Sequence, residues 1–248
     1  MVYRTSGGKL ADGNTIMRAI EQTEGKMAYS IAIDGPAGAG KSTIAKIVAK
    51  ELGFTYVDTG AMFRAMAVYF IDKGIDIKDE SAVGEAVKAV DISIEYSDGA
   101  QQIILNGNNV TGRLRDEEVG KAASASAVYP AVRQKLLEMQ RRLASTIDVV
   151  MDGRDIGTCV LPDATCKIYL TAGVDTRAKR RFDELKAKGE NPDIEEIKRD
   201  IAERDYRDMH RDTAPLKQAE DAVLVDSSDM SIEEVGGSII KEYRRKVR

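Results

Sequence analysis

The segment Gly35-Pro36-Ala37-Gly38-Ala39-Gly40-Lys41-Ser42, followed by Thr43, has the residue types and spacing of a loop that wraps a phosphate. Its glycines let successive backbone N–H groups turn inward around phosphate oxygens, and a helix beginning just after them adds its positive end. Lys41 can reach β- and γ-phosphates as a mobile point charge. The Ser42 hydroxyl is suited to ligate the Mg2+ that bridges them. The apolar run Ile31-Ala32-Ile33 precedes the loop and the helical pattern Thr43-Ile44-Ala45-Lys46-Ile47-Val48-Ala49-Lys50 follows it, which is the strand-to-helix setting this chemistry needs. The chain is read as a binder of nucleotide phosphate.

Three further groups of residues could act with that loop. Asp152-Gly153-Arg154-Asp155 follows the buried-strand pattern Asp148-Val149-Val150-Met151, and ligands of open α/β sheets sit at the carboxyl ends of strands. Asp152 is suited to hold Mg2+ through water and Arg154 to pair with a phosphate; the plainer reading is a turn closed by an Asp–Arg pair. Arg177, Arg180, Arg181, Arg199, Arg204, Arg207 and Arg211 form an arginine-dense segment, in which Arg204, Asp208 and Arg211 are expected to share one helical face. Phosphoryl transfer uses such guanidinium groups to neutralise charge on the moving oxygens, although any one of them could equally lie on a solvated or ion-paired face. Finally, Asp58-Thr59-Gly60 with Arg64 one turn later either caps a helix or holds a second phosphate. The single histidine, His210, is given no role.

Positioning these groups takes a sheet whose strands all end on one side. Short apolar segments at 29–33, 54–57, 147–151, 166–171 and 222–226 alternate with amphipathic helical patterns, predicting an α/β fold. That fold is a three-layer P-loop core with a five-stranded parallel sheet. Between the second and third strands, Ile92-Ser93-Ile94-Glu95-Tyr96, Ser97-Asp98-Gly99, Gln102-Ile103-Ile104-Leu105 and Asn106-Gly107 read as an antiparallel meander. This marks an inserted lobe with a small antiparallel sheet, surrounded by helical patterns at 60–73, 79–90, 115–127 and 130–146. Lys188-Gly189-Glu190-Asn191-Pro192 predicts the turn between two helices of a lid. The expected division is a core at 28–73, 147–176 and 212–248, an insert at about 74–146 and a lid at about 177–211. Residues 1–27 read as a poorly ordered extension, with a short helix around Thr15 to Thr23 as one alternative.

Composition narrows the class. In 248 residues, 43% apolar, the chain can bury a sizeable core, and a net charge of −4 argues against a dedicated nucleic-acid binder. Two cysteines, Cys159 and Cys166, are too few for a disulfide framework or a four-thiolate zinc site and are read as reduced. No apolar stretch approaches a bilayer span and no signal peptide is evident, so the cytoplasm is the expected address.

The motifs Ile33-Asp34-Gly35-Pro36-Ala37-Gly38-Ala39-Gly40-Lys41-Ser42, Asp58-Thr59-Gly60-Ala61-Met62-Phe63-Arg64, Asp152-Gly153-Arg154-Asp155-Ile156-Gly157-Thr158, Pro162-Asp163-Ala164 and Glu203-Arg204-Asp205-Tyr206-Arg207-Asp208 resemble the bacterial cytidylate kinases, in that family's order. The resemblance implies transfer of the γ-phosphoryl group of Mg2+–ATP to CMP or dCMP, in pyrimidine nucleotide metabolism. It implies that residues 35–43 bind ATP, that Arg64 and Arg154 grip the CMP phosphate, and that Thr59 stands where the family often has serine. Ser124, Arg133 and Asp155 would read cytosine, Arg204 and Asp208 contact ribose, and Arg181 and Arg211 close over the transferring group. With Lys41 and Asp152 these two arginines make the expected catalytic set; Ser42 and Asp152 make the metal site, and a monomer suffices. A kinase for another monophosphate, or for an acceptor such as shikimate or gluconate, is the nearest rival, against which the insert and the Asp152–Asp155 motif speak. A regulatory GTPase would ordinarily need Asp-x-x-Gly and Asn-Lys-x-Asp motifs, and neither occurs.

Overall fold

The computed structural model describes residues 28–97 and 100–248. The extension at 1–27, with its alternative helix, and the Asp98-Gly99 reversal lie outside the described residues. The chain divides into two compact units, a larger one of Tyr29–Gly60 and Leu137–Arg248 and a smaller one containing Ala61–Leu136. The insert expected at 74–146 falls mostly in the smaller unit, whose limits lie inside two helices.

The larger unit is built on β1 (Ser30–Asp34), β2 (Thr55–Asp58), β6 (Val149–Gly153), β7 (Cys166–Thr171) and β8 (Val223–Asp226). These form a parallel sheet in the order β2-β6-β1-β7-β8. All five residues of β1 are buried, because a central parallel strand is covered on both faces and must be apolar nearly throughout. Ser30 and Asp34, at its two ends, are the exceptions to that apolar rule. Against this sheet, α1 (Lys41–Leu52) buries Ile44, Ala45, Val48 and Ala49, and α8 (Ile232–Lys246) buries Val235, Ile239 and Tyr243. They share one core with Ile31, Ile33, Val150, Ile168 and Leu170. Ser231 and Glu234 close a capping box at the start of α8. The predicted lid is a pair of helices, α6 (Val174–Ala187) and α7 (Ile194–His210), joined through the turn expected at 188–192. Ala178, Ile197 and Ile201 form its own small core.

The smaller unit takes in most of α2 (Thr59–Asp72), then α3 (Glu80–Val87), β3 (Ile92–Ser97), β4 (Ala100–Leu105), β5 (Asn108–Asn109), α4 (Glu117–Ser126) and the first half of α5 (Pro130–Ala144). The meander is present as β3-β4-β5, all antiparallel. Asn106 and Gly107 turn β4 into β5 with φ of 46° and 82°, the left-handed pair that a two-residue hairpin requires. Helix α3 stops at Val87, short of the expected 90, because the amides of Lys88, Ala89 and Val90 bond three residues back and tighten the end.

Gly35 joins the sheet to the phosphate loop. Its φ is 150°, and a Cβ there would lie 1.9 Å from the backbone oxygen of Leu170 in β7. Backbone cannot yield as a flexible side chain does, so Gly35→Ala is expected to cost about 3 kcal/mol or more of folding stability. A denaturant midpoint unchanged from wild type would contradict this packing.

Candidate active site

The carboxyl ends of β1, β2 and β6 meet at the phosphate loop. In register, Ile33 pairs with Asp152 and Asp34 with Gly153, while Asp58 pairs with Asp152 from the other side. Gly38 and Gly40 have φ of 76° and 86°, and Gly40 caps α1 with no side-chain hydrogen bond, leaving the first amides of the helix for an anion. Lys41 is the first residue of that helix. It is 6% exposed, and its Nζ donates to the Pro36 carbonyl at 2.8 Å. The Ser42 hydroxyl donates to Asp152 Oδ2 at 2.9 Å, and the Tyr56 hydroxyl donates to Asp152 Oδ1 at 2.9 Å. Thr59 Oγ1 donates to the Asp152 carbonyl at 2.7 Å, so this hydroxyl fixes the strand end and does not cap α2.

Burial dominates the electrostatics. It pushes the Asp152 carboxyl above the usual range, helped by Asp58 and opposed by Lys41, Tyr56 and Ser42. Burial likewise pushes the Lys41 ammonium down, helped by Arg154 and opposed by Asp152 and Asp34. Asp152 and Ser42 are hard oxygen donors held together in a part-buried, electron-rich place, which suits Mg2+. The left-handed glycines and the uncapped helix suit the phosphates of a nucleotide.

A second cluster lies in the same unit. Arg154 Nε donates to Asp208 Oδ2 at 2.8 Å. Arg211 sits between two carboxylates, with Nη2 3.4 Å from Asp155 Oδ1 and Nη1 3.9 Å from Asp208 Oδ1, while its Nε donates to the Ala214 carbonyl at 2.7 Å. Burial works against charge on Asp208, but Arg154, Arg204 and Arg211 hold its carboxyl below the usual range. The expected helical face is corrected here. Helix α7 ends at His210, and Arg211 is extended, with φ −69° and ψ 142°. It reaches the carboxylates by leaving the helix. Arg204 is on α7, at its exposed surface.

Helix α6 sends different arginines to the phosphate loop from the one expected. Arg177 is buried, donating from Nε to the Ala172 carbonyl at 2.8 Å and from Nη1 to the Ala37 carbonyl at 2.9 Å, and pairing with Asp205 at 2.7 Å. Arg180 donates to the Ser227 carbonyl at 2.7 Å, and its Nη1 would lie 4.0 Å from a Cβ on Gly40. Arg181, one residue on, is turned outward and pairs with Glu184 at 2.9 Å on an exposed face. Sequence reading placed all three in the arginine-dense segment but gave Arg177 and Arg180 no role. Tyr56, in the strand expected at 54–57, and Asp34, within the first motif of the family resemblance, were likewise given no role. A carboxylate closing the apolar run 31–33 was the available signal for Asp34.

Three other expected residues belong to the smaller unit. Arg64 lies on α2, Ser124 is half-buried on α4, and Arg133 lies on α5 with its guanidinium 5.7 Å from the Phe63 ring centre and Nη1 donating to the Ala127 carbonyl at 3.2 Å.

A parallel α/β core with this loop, a buried lysine, an Asp–Ser oxygen pair and arginines from a helical hairpin defines a P-loop kinase. The chain belongs to the cytidylate kinase family, whose model matches residues 31–245. A cytidylate kinase of Geobacillus sp. is 47% identical over 217 residues, 88% of this chain and 97% of that protein. Those of Carboxydothermus hydrogenoformans and Lactobacillus gasseri are 46% and 45% identical over 216 residues, 87% of this chain and 97% and 94% of theirs. Among the described residues no helix is long and apolar enough to cross a membrane.

Proposed function

We propose that this chain transfers the γ-phosphoryl group of Mg2+–ATP to CMP or dCMP, giving ADP and CDP or dCDP, as a monomer in the cytoplasm. The observation that carries the reading is the Lys41–Ser42–Asp152 constellation, with Lys41 and Asp152 buried, set at the strand ends of a chain whose family acts on cytidylate. Residues 35–43, all but Pro36 carrying a backbone amide, wrap the donor phosphates, and Lys41 offsets their charge. Ser42 and Asp152 would hold Mg2+, which would supply charge neutralisation at the donor phosphates. Thr59, Arg64 and Arg154 receive the acceptor phosphate, and Arg204 and Asp208 the ribose. Arg211 neutralises the transferring group. Arg181 has the same assignment from the family pattern, but its exposed pair with Glu184 gives that role no support.

Ser124, Arg133 and Asp155 read the base. A carboxylate accepts from the exocyclic amino group of cytosine, whereas in uracil it would face an oxygen lone pair; Asp155 thus favours one base and disfavours the other. Asp155→Ala is expected to lower kcat/KM for CMP by about 10² or more while changing that for UMP far less. Equal losses with the two acceptors, measured by ADP release, would remove Asp155 from base recognition.

A further inference from the structure

Asp155 and Arg154 lead into a single turn of π-helix, Ile156–Val160. Such a turn begins with amides that have no partner within it and ends with carbonyls that have none. Both ends are held by charge. At the first end, Asp34 Oδ1 accepts from the Ile156 amide and Oδ2 from the Gly157 amide, each at 2.7 Å. At the other end, Arg141 on α5 donates from Nε to the Val160 carbonyl at 2.9 Å and from Nη2 to the Cys159 carbonyl at 2.7 Å. The fit at the first end is close. A Cβ on Gly157 would lie 3.3 Å from Asp34 Oδ2 and 3.2 Å from Lys167 Cδ.

Asp34 is 4% exposed, and burial pushes its carboxyl up to about 6. An ionised carboxylate is an expensive choice at the end of a central strand. No hydroxyl or amide side chain replaces it, however, because only a carboxylate offers acceptors on both atoms to two adjacent N–H groups. Asp34 is also the residue before Gly35, so it fixes this turn to the root of the phosphate loop.

We infer that Asp34 and Arg141 are positioning residues that clamp the Ile156–Val160 turn from its two ends and so fix Asp155 for discrimination between pyrimidine acceptors. Neither touches the acceptor in this scheme. The inference rests on the reading of Asp155 as a base-recognising residue.

The test compares the ratio of kcat/KM for CMP to that for UMP in wild type, Asp34→Asn and Arg141→Gln, with thermal midpoint and KM for ATP measured alongside. Asparagine keeps the shape of Asp34 but presents one acceptor and one donor, so one amide loses its partner. Displacement of a recognition group by a fraction of an ångström is enough to lower the ratio by about tenfold in Asp34→Asn, and Arg141→Gln should lower it severalfold. KM for ATP should stay within about twofold in Arg141→Gln, since the loop residues are untouched. A merely structural clamp would shift the midpoint and leave the ratio alone. If Asp34→Asn does not fold, Arg141→Gln, altered at an exposed side chain, decides the matter by itself. A high wild-type ratio retained by the folded variants overturns the clamp alone, and so does a loss shared equally by CMP and UMP. A wild-type ratio near one overturns the reading of Asp155, and the clamp with it.

Discussion

Lys41→Met is expected to lower kcat by about 10³-fold while leaving the protein folded. Lys41 begins α1 behind a left-handed Gly40, and its Nζ is tethered to the Pro36 carbonyl at 2.8 Å. The ammonium is therefore already turned into the loop that receives phosphate. Burial depresses its basicity, helped by Arg154 and opposed by Asp152 and Asp34, so the charge is costly to hold in the folded protein. Methionine matches the length and shape of the lysine stem and needs no counter-charge, and for this reason stability should change little. Loss of kcat with an unchanged thermal midpoint separates a chemical role from a structural one. Near-normal kcat would contradict the assignment of residues 35–43.

The second large effect belongs to Arg211. Arg211→Ala is expected to reduce kcat by about 10² to 10³, with a smaller effect on KM for CMP. Its guanidinium is held between Asp155 and Asp208 and anchored by the Ala214 carbonyl, so it is oriented before any ligand arrives. Preorientation is what makes a cation useful against charge that develops only as the phosphoryl group moves. Arg211→Lys should recover little, because one ammonium cannot face both carboxylates and a phosphoryl oxygen as a planar fork does. A variant in which KM rises and kcat stays constant would make Arg211 a binding residue only.

Much of this was legible because the strongest constraints here are local. A buried parallel strand is apolar along most of its length, so Ile31–Ile33, Val149–Met151 and Ile168–Leu170 read as strands without reference to partners. Asn106-Gly107 encodes its own hairpin, and 188–192 its own break. Asp152 beside Ser42 was foreseeable from two motifs that both had to lie at strand ends.

What escaped the sequence depends on long-range partners or on a few degrees of helix rotation. Asp34 and the amides of Ile156 and Gly157 meet across more than a hundred residues, and nothing local to Asp34 names them. Arg180 and Arg181 differ by about 100° around α6, which puts one by the phosphate loop and the other beside Glu184 in water. Spacing alone treats them as equivalent. For Arg211, a 3.6-residue repeat extrapolated the helix one position beyond its end at His210, yet the extended backbone still brought the side chain to Asp208.

The most direct test is a coupled ADP-release assay with Mg2+–ATP against CMP, dCMP, UMP, AMP, GMP and shikimate, with a control lacking acceptor. Turnover confined largely to CMP and dCMP is the expected result. Turnover chiefly with another acceptor, or ATP hydrolysis indifferent to any acceptor, would contradict it.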